Sequence, residues 1–158
     1  MKKLLCLMLL FSIFYMFPKD HRTKITPVQW DRVTEIGRKL KIPYSITYQL
    51  AYEESQFYSD ARSDITPEGY RSIGLFQLYT KPNNINYLVY KYWKSSESFD
   101  ITNPEHNAVV ALSYLRDLHI QYGNWYEALL FFNHGDIATA SVKTRKYARR
   151  IVNASGHL

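Results

Sequence analysis

The sequence predicts a single, mainly α domain with a small hairpin or loop insertion after its second helix, and three observations carry that expectation. The chain has 158 residues, enough for one hydrophobic core and short for two. Beyond residue 25, apolar residues recur at three- and four-residue spacing in one segment after another. Two of these segments are preceded by the pairs Thr26-Pro27 and Asn103-Pro104, a capping side chain followed by a residue whose fixed φ suits the first helical position.

The elements follow in order. After Thr26-Pro27, the residues Trp30, Val33, Ile36 and Leu40 mark one helix face. Pro43 opens a second helix whose stripe is Ile46, Leu50, Ala51 and Glu54. The stretch from Ser59 to Ser72, "SDARSDITPEGYRS", reads as loop with room for the small hairpin, and "TKPNNIN" at 80–86 reads as a break before a short aromatic helix, "YLVYKYWK". From Asn103 the longest pattern carries Ala108, Ala111, Leu112, Leu115, Leu118 and Tyr122 and stops at Gly123, as a central helix would. Asn124 caps the next helix, which is expected to end at Phe132 before a turn at 133–136. Lys143 to Ala154 forms the last helix, with Tyr147 and Ile151 one turn apart.

The N-terminus stands apart from this pattern. Two lysines precede a charge-free run from Leu4 to Phe17, the layout of an export signal, and no small-residue cleavage site follows. Residues 1–21 are therefore expected to be a signal peptide or an N-terminal membrane anchor, and residues 22–158 an extracytoplasmic domain. Cys6 is the one cysteine, which excludes an internal disulfide. The formal charge of +6 falls once Lys2, Lys3 and Lys19 are set aside, because the rest of the chain holds 17 basic against 14 acidic residues. With that modest excess and no basic-aromatic module, a nucleic-acid partner is not expected. The histidines show no metal-ligand spacing, so no metal is expected, and no organic cofactor is called for. Fourteen tyrosines and three tryptophans suit a wet groove that grips sugar faces as well as a core.

One short stretch poses the chemical question. In "YQLAYEESQFYS", Glu53 and Glu54 are adjacent, yet helical phase separates them. Glu54 follows Leu50 and Ala51 by four and three residues and joins the apolar stripe, whereas Glu53 follows Gln49 and points more outward. Partial burial raises a carboxyl pKa, so a glutamate ending an apolar stripe is either a proton donor in a site or a buried acceptor for the loop that follows.

Four blocks decide between these readings: "EESQF" at 53–57, "SIGLFQLY" at 72–79, "ALLFFNHG" at 128–135 and "KTRKYARRI" at 143–151. In this order and near these separations they resemble the lytic transglycosylases of the soluble-lytic-transglycosylase type, within the lysozyme-like superfamily. The resemblance runs from about Ile42 to Ile151 and implies a lysozyme-like domain acting on peptidoglycan. It implies that Glu54 is the catalytic acid and base, with Ser55 beside it, Gln77 in the glycan cleft near Gly74 and Leu75, Asn133 bonding the sugar or its N-acetyl group, and Tyr147 orienting the carboxyl. It also implies a reaction without water: Glu54 protonates the bond between N-acetylmuramic acid and N-acetylglucosamine, then takes the proton from the C6 hydroxyl as a 1,6-anhydro ring closes. The chain departs from the family pattern at Phe132, where Tyr is usual, at His134, where Ala is usual, at Tyr79-Thr80, and in a longer, more charged linker from Ser63 to Ser72. Two other functions compete: a goose-type muramidase in which a loop acid such as Asp64 or Glu68 positions water, and a glycan-binding or envelope-assembly protein that does not turn over.

Overall fold

The computed structural model describes residues 22–156. The expected signal or anchor at 1–21 lies outside the described residues, and no helix among the described residues is long and apolar enough to cross a membrane. Among the described residues, six helices and one two-stranded hairpin follow in the order α1 (Pro27–Lys39), α2 (Tyr44–Ser55), β1 (Ser72–Ile73), β2 (Leu78–Tyr79), α3 (Pro82–Tyr92), α4 (Pro104–Tyr122), α5 (Trp125–His134) and α6 (Val142–Ser155).

The caps explain where the helices begin. At α1, the Thr26 hydroxyl accepts from the Gln29 backbone N–H at 3.2 Å while the Gln29 side chain accepts from the Thr26 N–H at 2.9 Å, a reciprocal capping box that satisfies two donors with no helical partner. Asn103, Asn124 and Ser141 cap α4, α5 and α6 with their side-chain oxygens. Gly123 and Gly135 close α4 and α5 in the left-handed region, which glycine enters without a Cβ penalty.

Helix α4 is the spine: Ala108, Val110, Ala111, Leu112 and Leu115 are fully buried, and α1, α3 and α5 pack around them. Helix α6 lies across α2 and α5, burying Ala148, Ile151 and Val152 against Ile46, Leu50 and Leu129 in the same core. Removing these side chains from water drives the assembly, since each fully buried aliphatic side chain contributes about 1.5–3 kcal/mol.

Three local expectations are corrected. The hairpin forms at 72–79 rather than within 59–72, with Ser72 opposite Tyr79 and Ile73 opposite Leu78. Residues 82–86 are helix rather than a break, because Pro82 occupies the first turn of α3, where its missing N–H costs nothing. Helix α5 runs through Asn133 and His134 before Gly135 ends it, so these two residues project from a helix rather than from a turn.

Candidate active site

Glu54 sits in the last turn of α2, one turn beyond the fully buried Leu50 and Ala51. The helix stops abruptly after it. Gln56 and Phe57 adopt left-handed backbone with φ of 53° and 67°, a conformation that costs side-chain-bearing residues about 1–3 kcal/mol each and persists only where surroundings impose it. Here the surroundings are visible. Phe57 packs edge-on against Trp30 at 5.2 Å and lies 5.0 Å from Tyr48, and its carbonyl accepts from the Ile25 N–H at 3.0 Å. The chain leading into α1 is thus bonded to the chain leaving α2, and the turn bearing Glu54 is held from both sides.

Glu54 opens onto a cleft of about 340 Å³, within the range of small-ligand sites. The hairpin lines it with Ser72, Gln77, Leu78 and Tyr79, α3 with Asn84 and Leu88, α4 with Tyr114, and α5 with Phe131, Phe132, Asn133 and His134. The lining mixes aromatic faces with amide and hydroxyl groups, the combination that grips a sugar ring by its face and its edge. Among the described residues Glu54 is the single carboxyl lining this cleft. Asp60 lies elsewhere, accepting from the Thr23 N–H at 2.7 Å. Asp64 and Glu68 are exposed on the 59–72 loop and do not line the cleft, and Glu68 is held below the usual carboxylate range by its own backbone N–H and the Thr66 hydroxyl.

The electrostatics of Glu54 follow from its place. Desolvation pushes its pKa up to about 7, the hydrogen bond from Tyr147 works against that rise, and the neighbouring charge of Glu53 adds to it. Tyr147, buried on α6, donates its hydroxyl to Glu54 Oε1. Burial and the same carboxyl raise the Tyr147 phenol well above its ordinary value, so it stays a donor throughout the working range. Glu53 turns the other way. It receives Arg150 in a two-pronged ion pair, Nε to Oε1 at 2.9 Å and Nη2 to Oε2 at 2.6 Å. Tyr147→Phe is expected to lower turnover about tenfold to a hundredfold, since the carboxyl loses its orienting donor, and to move the alkaline limb of the pH profile upward, since that donor favours the carboxylate. Initial rates across pH check both.

The other residues singled out from sequence divide. Asn133 is exposed on the α5 wall. Gln77 also faces the cleft, but its amide nitrogen donates to the carbonyls of Gly74 at 2.8 Å and Ala61 at 3.0 Å, so it braces the hairpin turn from within. Ser55 is not on the cleft wall. It is buried beside Glu54, and its hydroxyl donates to the Ala51 carbonyl at 3.1 Å, a helix-end place away from any substrate.

Several site residues escape sequence reasoning. Asn107, fully buried on α4, accepts from the Phe76 N–H at 2.9 Å and donates to the carbonyls of Ile101 at 3.0 Å and Ile73 at 3.2 Å, tying the cleft's hairpin wall to the spine. Its signal was a polar residue one position before Ala108 on the buried stripe. Tyr114 lines the cleft with its phenol pushed up to about 12 by burial and its ring 5.9 Å from Phe132. Asn84 was hidden by the reading of 80–86 as a break. No group of three or more His, Cys, Asp or Glu suited to a metal ion occurs among the described residues.

Comparison with known proteins places this geometry. Among curated protein sequences none matches the chain. Among solved structures, an inactive mutant of the lytic transglycosylase Slt from Pseudomonas aeruginosa superposes with a TM-score of 0.63 at 21% identity, over 88% of this chain and 24% of that one. The 70-kDa soluble lytic transglycosylase SLT70 from Escherichia coli gives 0.56 at 21% identity over 80% and 18%, and a complex of the 70-kDa soluble lytic transglycosylase with bulgecin A gives 0.66 at 19% identity over 80% and 23%. The chain thus spans about a quarter or less of the length of the structures it matches, and at these identities the likeness is one of fold. Residues 32–154 match the family described as the transglycosylase SLT domain, a stretch that runs from α1 to the last turn of α6 and contains every cleft-lining residue. The chain belongs to the transglycosylase SLT domain family, and its fold is that of the lytic transglycosylase structures it superposes on.

Proposed function

We propose that this domain cleaves the β-1,4 bond between N-acetylmuramic acid and N-acetylglucosamine in peptidoglycan without consuming water, leaving 1,6-anhydro-muramyl ends, in the extracytoplasmic space where that polymer lies. The observation that supports this most is the solitary carboxyl. Glycosidases that hydrolyse by the usual route hold a second carboxylate across the bond, about 5–5.5 Å away in retaining enzymes and about 6.5–9.5 Å in inverting ones. Glu54 has no such partner among the cleft-lining residues.

One group must then act twice. With a pKa of about 7, Glu54 is substantially protonated at neutral pH and can donate to the glycosidic oxygen as the bond breaks. The carboxylate left behind removes the proton from the C6 hydroxyl of the same muramic residue, whose oxygen attacks C1 and closes the ring. The atoms balance: the proton given to the leaving sugar is recovered from C6. An internal nucleophile brings a high effective concentration, which replaces the positioned water of a hydrolase. Tyr147 steadies the carboxyl in both states, donating to Oε1 throughout. In this reading the Asn133 amide bonds the acetamido group, and Gln77 keeps the hairpin wall in shape.

The test is product analysis. Muropeptides released from purified sacculi and resolved by mass spectrometry are expected to carry anhydro-muramyl ends, one water lighter than the hydrolytic product. Reducing muramic ends would assign the domain to the muramidase alternative, and no release at all to the non-catalytic one.

A further inference from the structure

Two pairs of side chains cross the contact between α2 and α6, and they are in register. On α2, Glu53 and Glu54 are adjacent; on α6, Tyr147 and Arg150 are three residues apart and so share a face, one turn from each other. Tyr147 meets Glu54 and Arg150 meets Glu53. In the first pair Tyr147 is buried and Glu54 half-buried at the cleft, whereas the second pair lies nearer the surface, with 17% of the Glu53 side chain and 56% of the Arg150 side chain exposed. The fork matters. Two parallel N–H to oxygen bonds fix both the distance and the rotation of a guanidinium against a carboxylate, which a single charge contact does not.

With the Arg150 side chain more than half exposed, solvent screens this ion pair, so stability is a weak reason for it. Position is a stronger reason. Rotation of α6 about its axis, or a shift along it, moves the Tyr147 hydroxyl relative to Glu54, and the Arg150 fork opposes both. It also occupies the Glu53 carboxylate, which otherwise stands beside Glu54 as an unshared negative charge.

We infer that Arg150, through its forked pairing with Glu53, is a positioning residue for the reaction, holding α6 in the rotation that keeps Tyr147 on Glu54. This rests on the reading of Glu54 as the acid and base. The groups acting on Glu54 are Glu53 from its own helix and Tyr147 from α6; Arg150 reaches it through Glu53, and the other titratable groups lining the cleft are Tyr79 of the hairpin, Tyr114 of α4 and His134 of α5. Replacing Arg150 and replacing Glu53 therefore have opposite electrostatic consequences. Arg150→Ala leaves the Glu53 charge unshared and makes Glu54 hold its proton to higher pH; Glu53→Gln removes that charge and makes Glu54 release its proton at lower pH.

The experiment measures kcat, KM and the pH profile on sacculi for wild type, Arg150→Ala, Arg150→Lys, Glu53→Gln and Glu54→Gln, with thermal unfolding followed in parallel. Arg150→Ala is expected to lower kcat about tenfold with KM changed less than twofold. The alkaline limb is expected to move up in Arg150→Ala and down in Glu53→Gln, at nearly unchanged melting temperature. Arg150→Lys keeps the charge and loses the fork, so its limb is expected to stay near wild type while kcat still falls. Should Arg150→Ala fail to fold, the Lys and Gln variants carry the same test. Wild-type kcat with coincident limbs in all pair variants, beside an inactive Glu54→Gln, overturns the positioning role alone. An active Glu54→Gln overturns the reading on which it rests.

Discussion

Glu54→Gln is expected to reduce turnover on peptidoglycan by about 10²–10⁴-fold, the range general acid–base groups supply, while leaving glycan binding and the fold intact. The amide fills the same space and accepts from Tyr147 as the carboxyl does, yet it can neither give nor take the transferred proton. The same substitution carries a stability signature of known sign. The folded-state pKa of about 7 stands above the unchanged value of 4.5, so stability contributed by the protonated carboxyl is fully present below pH 4.5 and is lost as pH rises through about 7. The full loss is on the order of 3 kcal/mol, trimmed by water entering through the open cleft. Glu54→Gln removes that penalty. At pH 8 its melting temperature is expected to exceed that of wild type by roughly 5–10 °C, and at pH 4 the two are expected to coincide. A residue that costs stability at working pH while conferring activity is what a catalytic position should look like. Paired calorimetry and muropeptide release at the two pH values check it.

Gly74→Ala is expected to be the most damaging single methyl in the molecule. Gly74 has φ of 92°, and a Cβ there would stand 2.2 Å from Asn107 Nδ2 and 2.5 Å from the Ile101 carbonyl. Neither can yield cheaply, because one is a backbone atom and the other belongs to the side chain that ties the hairpin to α4 through three hydrogen bonds. Displacing Asn107 leaves buried polar groups unpaired at about 1–3 kcal/mol each, so a loss near 4 kcal/mol and a melting-temperature drop of about 10–20 °C are expected. Activity should fall with it, since Gln77 and the whole hairpin wall hang from this joint. Gly69→Ala is the control: φ is 87°, but nothing lies within 4 Å of the added carbon, so only the backbone penalty of about 1 kcal/mol applies. Equal losses in the two variants would show that strain in φ, not the Asn107 joint, governs this wall.

How much of this was open to sequence reasoning depends on whether the signal was local. Thr26-Pro27, Asn103-Pro104 and Gly123 mark helix ends by chemistry confined to a few residues, and those ends lie where the caps place them. The separation of Glu53 from Glu54 is likewise a matter of helical phase, and the structure sends the two carboxyls to different partners. The hairpin was misplaced because strands of two residues are too short to show alternation, and their pairing is set by the turn around Gly74 and by Asn107, 33 residues on in sequence. Pro82 looks the same in a helix's first turn as in a loop until the partners of Leu88 are known. Ser55 matched a pattern, but its hydroxyl finds the Ala51 carbonyl, a bond that any serine four residues along a helix can make. Arg150 was one cation in a basic run, and only the packing of α6 on α2 distinguishes it from its neighbours.

The central claim is that the bond is cut by one carboxyl and an internal hydroxyl, with no water. Digestion of purified sacculi in water enriched in oxygen-18, followed by mass spectrometry of the released muropeptides, tests this most directly. Anhydro-muramyl ends free of the heavy isotope are expected. One atom of it at C1 of reducing muramic ends, formed during the digestion and absent without enzyme, would contradict the account.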